Sequence, residues 1–87
     1  MNNREQLKQA VQLALDGDWD ASHKIAQDYS DVTANWIHAV LHKIEGDEWN
    51  SKYWYKRTMG LQAGAKQYED YADAKQELLA IQHSLSY

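Results

Sequence analysis

The chain has 87 residues, a formal charge of -4 and no cysteine, proline or phenylalanine; four tryptophans and six tyrosines supply its aromatic bulk. One domain of this size buries only about two-thirds of its unfolded surface, and without cysteine it can hold neither a disulfide nor a thiolate metal site, so any metal would fall to His, Asp and Glu. The acidic balance argues against capture of nucleic-acid backbones, and the polar opening MNNREQLKQA with no run near ~20 apolar residues argues against a leader or membrane span, so a soluble, cytoplasmic protein is expected.

With no proline to break them, the segments read as helices divided by glycine and Asx/Ser turns. Asn3 and Gln6 open the first as a capping pair, and Leu7, Ala10, Val11, Ala14 and Leu15 recur at helical spacing up to Gly17. Asp18 then caps a second helix predicted over Trp19 to Tyr29, with Ser22, Ile25, Ala26 and Tyr29 inward. Ser30, Asp31 and Thr33 form a polar turn. The third helix is the plainest, carrying Ile37, Val40, Leu41 and Ile44 on one stripe and stopping at Gly46. Asp47 caps a fourth, with Trp49, Tyr53 and Trp54, that runs to Gly60. After Leu61 to Gly64 a more polar helix is predicted over 65–85, its apolar positions including Tyr68, Tyr71, Ala72, Leu78, Leu79 and Leu85.

Placing Val11-Gln-Leu-Ala-Leu-Asp-Gly-Asp-Trp19 over Val40-Leu-His-Lys-Ile-Glu-Gly-Asp-Glu-Trp49 aligns apolar residues, acid, glycine, aspartate and tryptophan, with one extra residue in the second copy. The sequence therefore predicts one all-α domain over 1–87 in about five helices: an antiparallel hairpin at 3–29, a second at 31–60 and a closing helix at 65–85. Gly17-Asp-Trp-Asp-Ala-Ser22 resembles the turn of a tetratricopeptide repeat, and Ser51-Lys-Tyr-Trp-Tyr-Lys-Arg-Thr-Met-Gly60 resembles the Trp-Tyr stretch of Sel1-like repeats. Both likenesses imply paired helices in a tetratricopeptide-like array and a role in protein binding. The tetratricopeptide proline is absent, Ala26 stands where that family places a large aromatic, and Thr58-Met59 replaces the Sel1 alanine pair. The string Trp36-Ile-His-Ala-Val-Leu-His-Lys-Ile-Glu-Gly-Asp47 followed by Asn50-Ser-Lys-Tyr-Trp-Tyr55 is similar to a group of short helical proteins with a W-x-H-A-x-L-H-x-x-E-G-D core. That likeness implies a fold and no chemistry.

His38, His42 and Glu45, at i, i+4 and i+7, share one edge of the third helix. His-x-x-x-His is the spacing with which some helices hold zinc, and His23 on the preceding helix is a candidate fourth group; three N/O ligands and an open position would activate water for hydrolysis. The plainer reading puts both imidazoles at the boundary of the apolar stripe, hydrogen-bonded across helices. Asp47 already has a capping role and Glu45 a solvent-facing position, so no catalytic residue is assigned. His83 is expected in solvent.

Most of the tryptophans, Trp19, Trp36 and Trp49 among them, are expected in the seams between helices. In the run Tyr53-Trp54-Tyr55 successive side chains point to different sides, so at least one ring should stay exposed among Lys52, Lys56 and Arg57. Exposed aromatic area edged by Arg/Lys is the composition of an interaction hot spot. The chain is thus read as a non-catalytic protein-binding module without cofactor, contacting a protein or peptide partner, or a second copy of itself, through Tyr53, Trp54, Tyr55 and Arg57. A divalent-metal-binding protein using His38, His42, Glu45 and His23 is the alternative.

Overall fold

The computed structural model describes residues 3–59 and 73–86, and among these the chain is all-α, with five helices and no strand. They are α1 (Arg4–Leu15), α2 (Trp19–Ala26), α3 (Val32–Ile44), α4 (Glu48–Met59) and α5 (Ala74–Leu85). None of the described helices is long and apolar enough to cross a membrane.

The first and third helices stop by one mechanism. Gly17 and Gly46 lie at φ +89° and +84°, a conformation that costs a side-chain-bearing residue steric energy. Their N–H groups donate to Ala14 and Lys43 carbonyls at 3.1 Å, and the next N–H groups, of Asp18 and Asp47, reach back to Leu13 and His42 at 2.9 Å. These paired bonds satisfy carbonyls that a helix end otherwise strands. Each aspartate then caps the following helix, Asp18 accepting from the Ala21 N–H at 3.2 Å and Asp47 from the Asn50 N–H at 3.3 Å.

A buried hydroxyl completes each unit: Ser22 Oγ donates to the Ala10 carbonyl at 2.6 Å and Ser51 Oγ to the Ala39 carbonyl at 2.7 Å. Every member of the second set lies 29 positions after its counterpart (46 minus 17, 51 minus 22), with no extra residue between. The counterpart of Trp19 is therefore Glu48 and not Trp49, because the Gly-Asp-x-x-x-Ser contacts fix the register and the tryptophans do not.

α1 buries Leu7, Ala10 and Val11, and α3 is inward over most of its length through Ala34, Ile37, Val40 and Leu41. α2 packs on both, α4 packs on α3, and α5 covers α1 and α3 with Leu78, Ile81 and Leu85. Burying a side chain such as Ile37 or Leu41 contributes about 1.5–3 kcal/mol, so among the described residues the core of α1, α3 and α5, with Ala26 of α2, carries much of the packing energy.

Several predicted boundaries shift. The regular part of α2 ends at Ala26, beyond which Asp28 and Tyr29 make only turn bonds to Ile25 and Ala26. Asn3 makes no side-chain cap bond; its amide donates instead to the Asp31 carboxylate at 2.9 and 3.2 Å, joining the starts of α1 and α3. The closing helix does not run unbroken over 65–85, since Asp73 is extended at φ -112°, ψ 110° and its carboxylate caps α5 from Lys75 N–H at 2.9 Å. Leu61, Tyr68, Tyr71 and Ala72 lie outside the described residues. Ile44 and Leu79, expected inward, are exposed.

Candidate functional site

Three consecutive aromatics on α4 enter three environments, because each residue turns 100° around a helix. Tyr55 is the buried one, at 0% exposure. Its hydroxyl donates to the Glu77 carboxylate of α5 at 2.7 and 2.8 Å, Trp36 Nε1 donates to the same group at 2.7 Å, and Lys43 Nζ pairs with it at 2.8 Å while lying 5.2 Å from the Tyr55 ring centroid. Tyr55 is therefore not a surface contact residue: its ring and hydroxyl are committed to a polar network joining α3, α4 and α5. Glu77, itself 0% exposed, was not singled out in the sequence because its charge reads as a wet helix face. The neighbouring apolar positions Leu78 and Ile81 were the available signal, since they place Glu77 on the inner side of α5.

Trp54 is half-buried. Its ring stacks on His38 with centroids 3.9 Å apart and planes 13° from parallel, and the Arg57 guanidinium lies 5.5 Å from its centroid. Tyr53 faces outward at 42% exposure with Arg57 5.8 Å from its ring. Trp49, expected in a seam, is 74% exposed, the largest value among the exposed large hydrophobics, and stacks on Tyr53 at 5.9 Å and 10°. The helical period explains this: Ser51 and Tyr55 define the buried line of α4, and Trp49 and Tyr53, also four apart, fall on the opposite one. Trp49, Lys52, Tyr53 and Lys56 line a hollow of about 180 Å³, with Lys52 Nζ 2.6 Å from Glu48.

On the other side of Trp54 the three histidines of α2 and α3 converge. His23 Nε2 and His38 Nε2 are 3.0 Å apart, the His38 and His42 rings stack at 4.9 Å, and His23 and His42 meet edge-on at 5.5 Å. Indoles close both sides: Trp19 stacks on His23 at 4.7 Å and 9°, held by its Nε1 bond to the Leu41 carbonyl at 2.6 Å, while Trp54 covers His38. His38 is only 6% exposed. Burial first, then the neighbouring His23 and His42, pushes its pKa down to about 4, and burial followed by His42 lowers that of His23 against the raising effect of Glu45 and Asp20. Both rings are consequently neutral at pH 7.

Glu45 approaches His42 rather than His38, with Oε2 2.5 Å from His42 Nδ1. Asp47 lies close by, but Asn50 holds it through a 2.6 Å amide bond and a backbone bond, which also lower its pKa. The four histidine-edge residues expected from sequence thus meet, with Glu45 bonded to one imidazole at the rim. His83 is exposed on α5. Comparison with protein-family models, curated proteins and solved structures gave no match.

Proposed function

We propose that the chain is a cytoplasmic, non-catalytic protein-binding module, two tetratricopeptide-like helical hairpins closed by α5, whose outer α4 face takes an acidic peptide segment carrying an apolar side chain. The observation that carries this reading is Trp49, 74% exposed and stacked on the exposed Tyr53. Leaving an indole in water forgoes burial worth about 1.5–3 kcal/mol for a large apolar side chain, and such an exposed apolar patch is characteristic of a contact surface. Lys56 and Arg57 set the sign of the partner, Lys52 being paired with Glu48, since an acidic chain would meet complementary charge here and a net acidic chain elsewhere. The recurrence of the glycine stop, aspartate cap and serine bond supports the two-hairpin part of the reading.

Tyr53, Arg57 and Trp49 are the contact residues, with the accessible part of Trp54 beside them. Tryptophan fluorescence should report saturable binding of peptides alternating Glu/Asp with Leu, and weaker binding as salt rises. Peptides with Lys in place of the acids should not bind, and Trp49→Ala should lose at least tenfold in affinity. Equal binding of both peptide sets, or an unchanged Trp49→Ala variant, would overturn the reading; self-association lost in Trp49→Ala would assign the face to a second copy.

A further inference from the structure

We propose that His23, His38 and His42 form a binding site for one borderline divalent transition-metal ion of the Zn²⁺ type, with Glu45 as the outer partner that orients His42 and with a fourth coordination position left to solvent or an external ligand. The site is separate from the outer face of α4, and Trp54 divides the two.

Geometry carries this assignment. One ligand nitrogen from each imidazole lies within 4.8 Å of the others, and His23 Nε2 and His38 Nε2 are 3.0 Å apart. Zinc–nitrogen bonds of about 2.0–2.1 Å in tetrahedral arrangement hold their nitrogens roughly 3.4 Å from one another. The 3.0 Å separation is within half an ångström of that value and no separation in the set exceeds 4.8 Å, so side-chain adjustments of roughly an ångström would complete the site. The rings are also constrained in orientation by their stacking on Trp19 and Trp54.

Protonation is compatible as well. A ligating imidazole must present a lone pair, and His23 Nε2 faces His38 Nε2 at 3.0 Å, a contact in which one nitrogen accepts from the other. His42 Nδ1 faces the Glu45 carboxylate and donates to it, the carboxylate–histidine arrangement that fixes ligands at metal centres, so Nε2 is the nitrogen available to an ion. Three imidazoles with no thiolate favour Zn²⁺, Co²⁺, Ni²⁺ or Cu²⁺ over Ca²⁺ and Mg²⁺, which prefer oxygen donors. A competing set, His42, Glu45 and Asp47, lies at the rim. Its Asp47 carboxylate already receives the Asn50 backbone and side-chain N–H groups, which favours the three-imidazole set.

The test is a Co²⁺ titration of the metal-stripped, untagged protein followed by visible absorption and tryptophan fluorescence. Expected are a d–d band of four- or five-coordinate cobalt saturating at one ion per chain, quenching of fluorescence, and displacement of the band by Zn²⁺. Zn²⁺ at a hundredfold excess over Kd should raise the melting midpoint by roughly 10 to 20 °C. His23→Ala and His42→Ala should lose the band while keeping their helical circular dichroism, Glu45→Gln should weaken binding by about 10- to 100-fold, and Asp47→Asn should bind as the parent does. Absence of a saturable band in the parent protein overturns the proposal. So does a band that survives His23→Ala and disappears in Asp47→Asn, which would place the ion on the rim.

Discussion

Replacing Glu77 by glutamine tests what holds α5 in place. The carboxylate is fully buried and receives Lys43 Nζ at 2.8 Å, Trp36 Nε1 at 2.7 Å and the Tyr55 hydroxyl at 2.7 and 2.8 Å. Glutamine keeps the shape but removes the charge opposite Lys43, and its amide turns donors toward donors. Stripping one partner from a buried ion pair costs about 3–5 kcal/mol; the 11% exposure of the Lys43 side chain lets water recover part of that, so about 3 kcal/mol is expected. A protein of 87 residues is stable by roughly 4–13 kcal/mol in all, and each kcal/mol moves the midpoint by about 4–8 °C at this size. Glu77→Gln should thus melt roughly 12 to 24 °C below the parent by circular dichroism. Lys43→Met combined with Glu77→Leu should cost less than the two single losses added, because apolar replacement of both partners leaves no uncompensated charge. A Glu77→Gln midpoint within about 3 °C of the parent, or simple additivity in the pair, would refute this account of the network.

Acid should destabilise the metal-free protein through His38. Its folded pKa of about 4 lies below its ordinary 6.5, so the unfolded chain binds the proton more readily. That contribution is complete above pH 6.5, is lost as pH falls toward 4, and amounts to about 3 kcal/mol at 1.36 kcal/mol per pH unit; urea midpoints at pH 7 and 4.5 should show the loss, and His38→Gln should reduce it. At Gly46 the space beside the backbone is open but φ is +84°, so Gly46→Ala should cost about 1 kcal/mol from conformation alone and Gly46→Asn less, read from urea midpoints.

Much of the fold was legible because it is local. Gly17 and Gly46 stopped their helices and Asp18 and Asp47 capped the next ones, effects decided within five residues. The convergence of His23 on His38 and His42 was also accessible, since short connections return α2 alongside α3. What escaped depends on partners distant in sequence. Nothing near Glu77 announces that Trp36, Lys43 and Tyr55 will surround it, and charge alone places such a residue in water. Trp49 was expected in a seam as aromatic bulk and, separately, aligned with Trp19; the buried serines give the true register, and the period of α4 places Trp49 on its outer line. Asp73 shortened the closing helix because an extended cap residue outweighed the helical pattern on either side.

The helix α4 explains why the two proposed sites can be tested separately. Tyr53, Trp54 and Tyr55 are adjacent in sequence, yet one is offered to solvent with Arg57, one covers an imidazole and one is tied to Glu77. Removing Trp49 alters the outer face alone, since its ring stacks on Tyr53 and on no histidine of the cluster; removing His23 alters the cluster without touching Trp49. Trp54 is the residue through which the two would communicate, meeting Tyr53 edge-on at 5.3 Å and His38 face-on at 3.9 Å. If a metal ion draws the three imidazoles together, the His38 ring turns against this indole and the adjustment passes to Tyr53 and Arg57. Peptide affinity should then differ between the metal-free and metal-bound protein, and Trp54→Leu, while weakening peptide binding by the contact it removes, should make the metal-free and metal-bound affinities equal with both ligands still bound. Loss of either binding activity in Trp54→Leu would instead make Trp54 a component of that site rather than the divider between them.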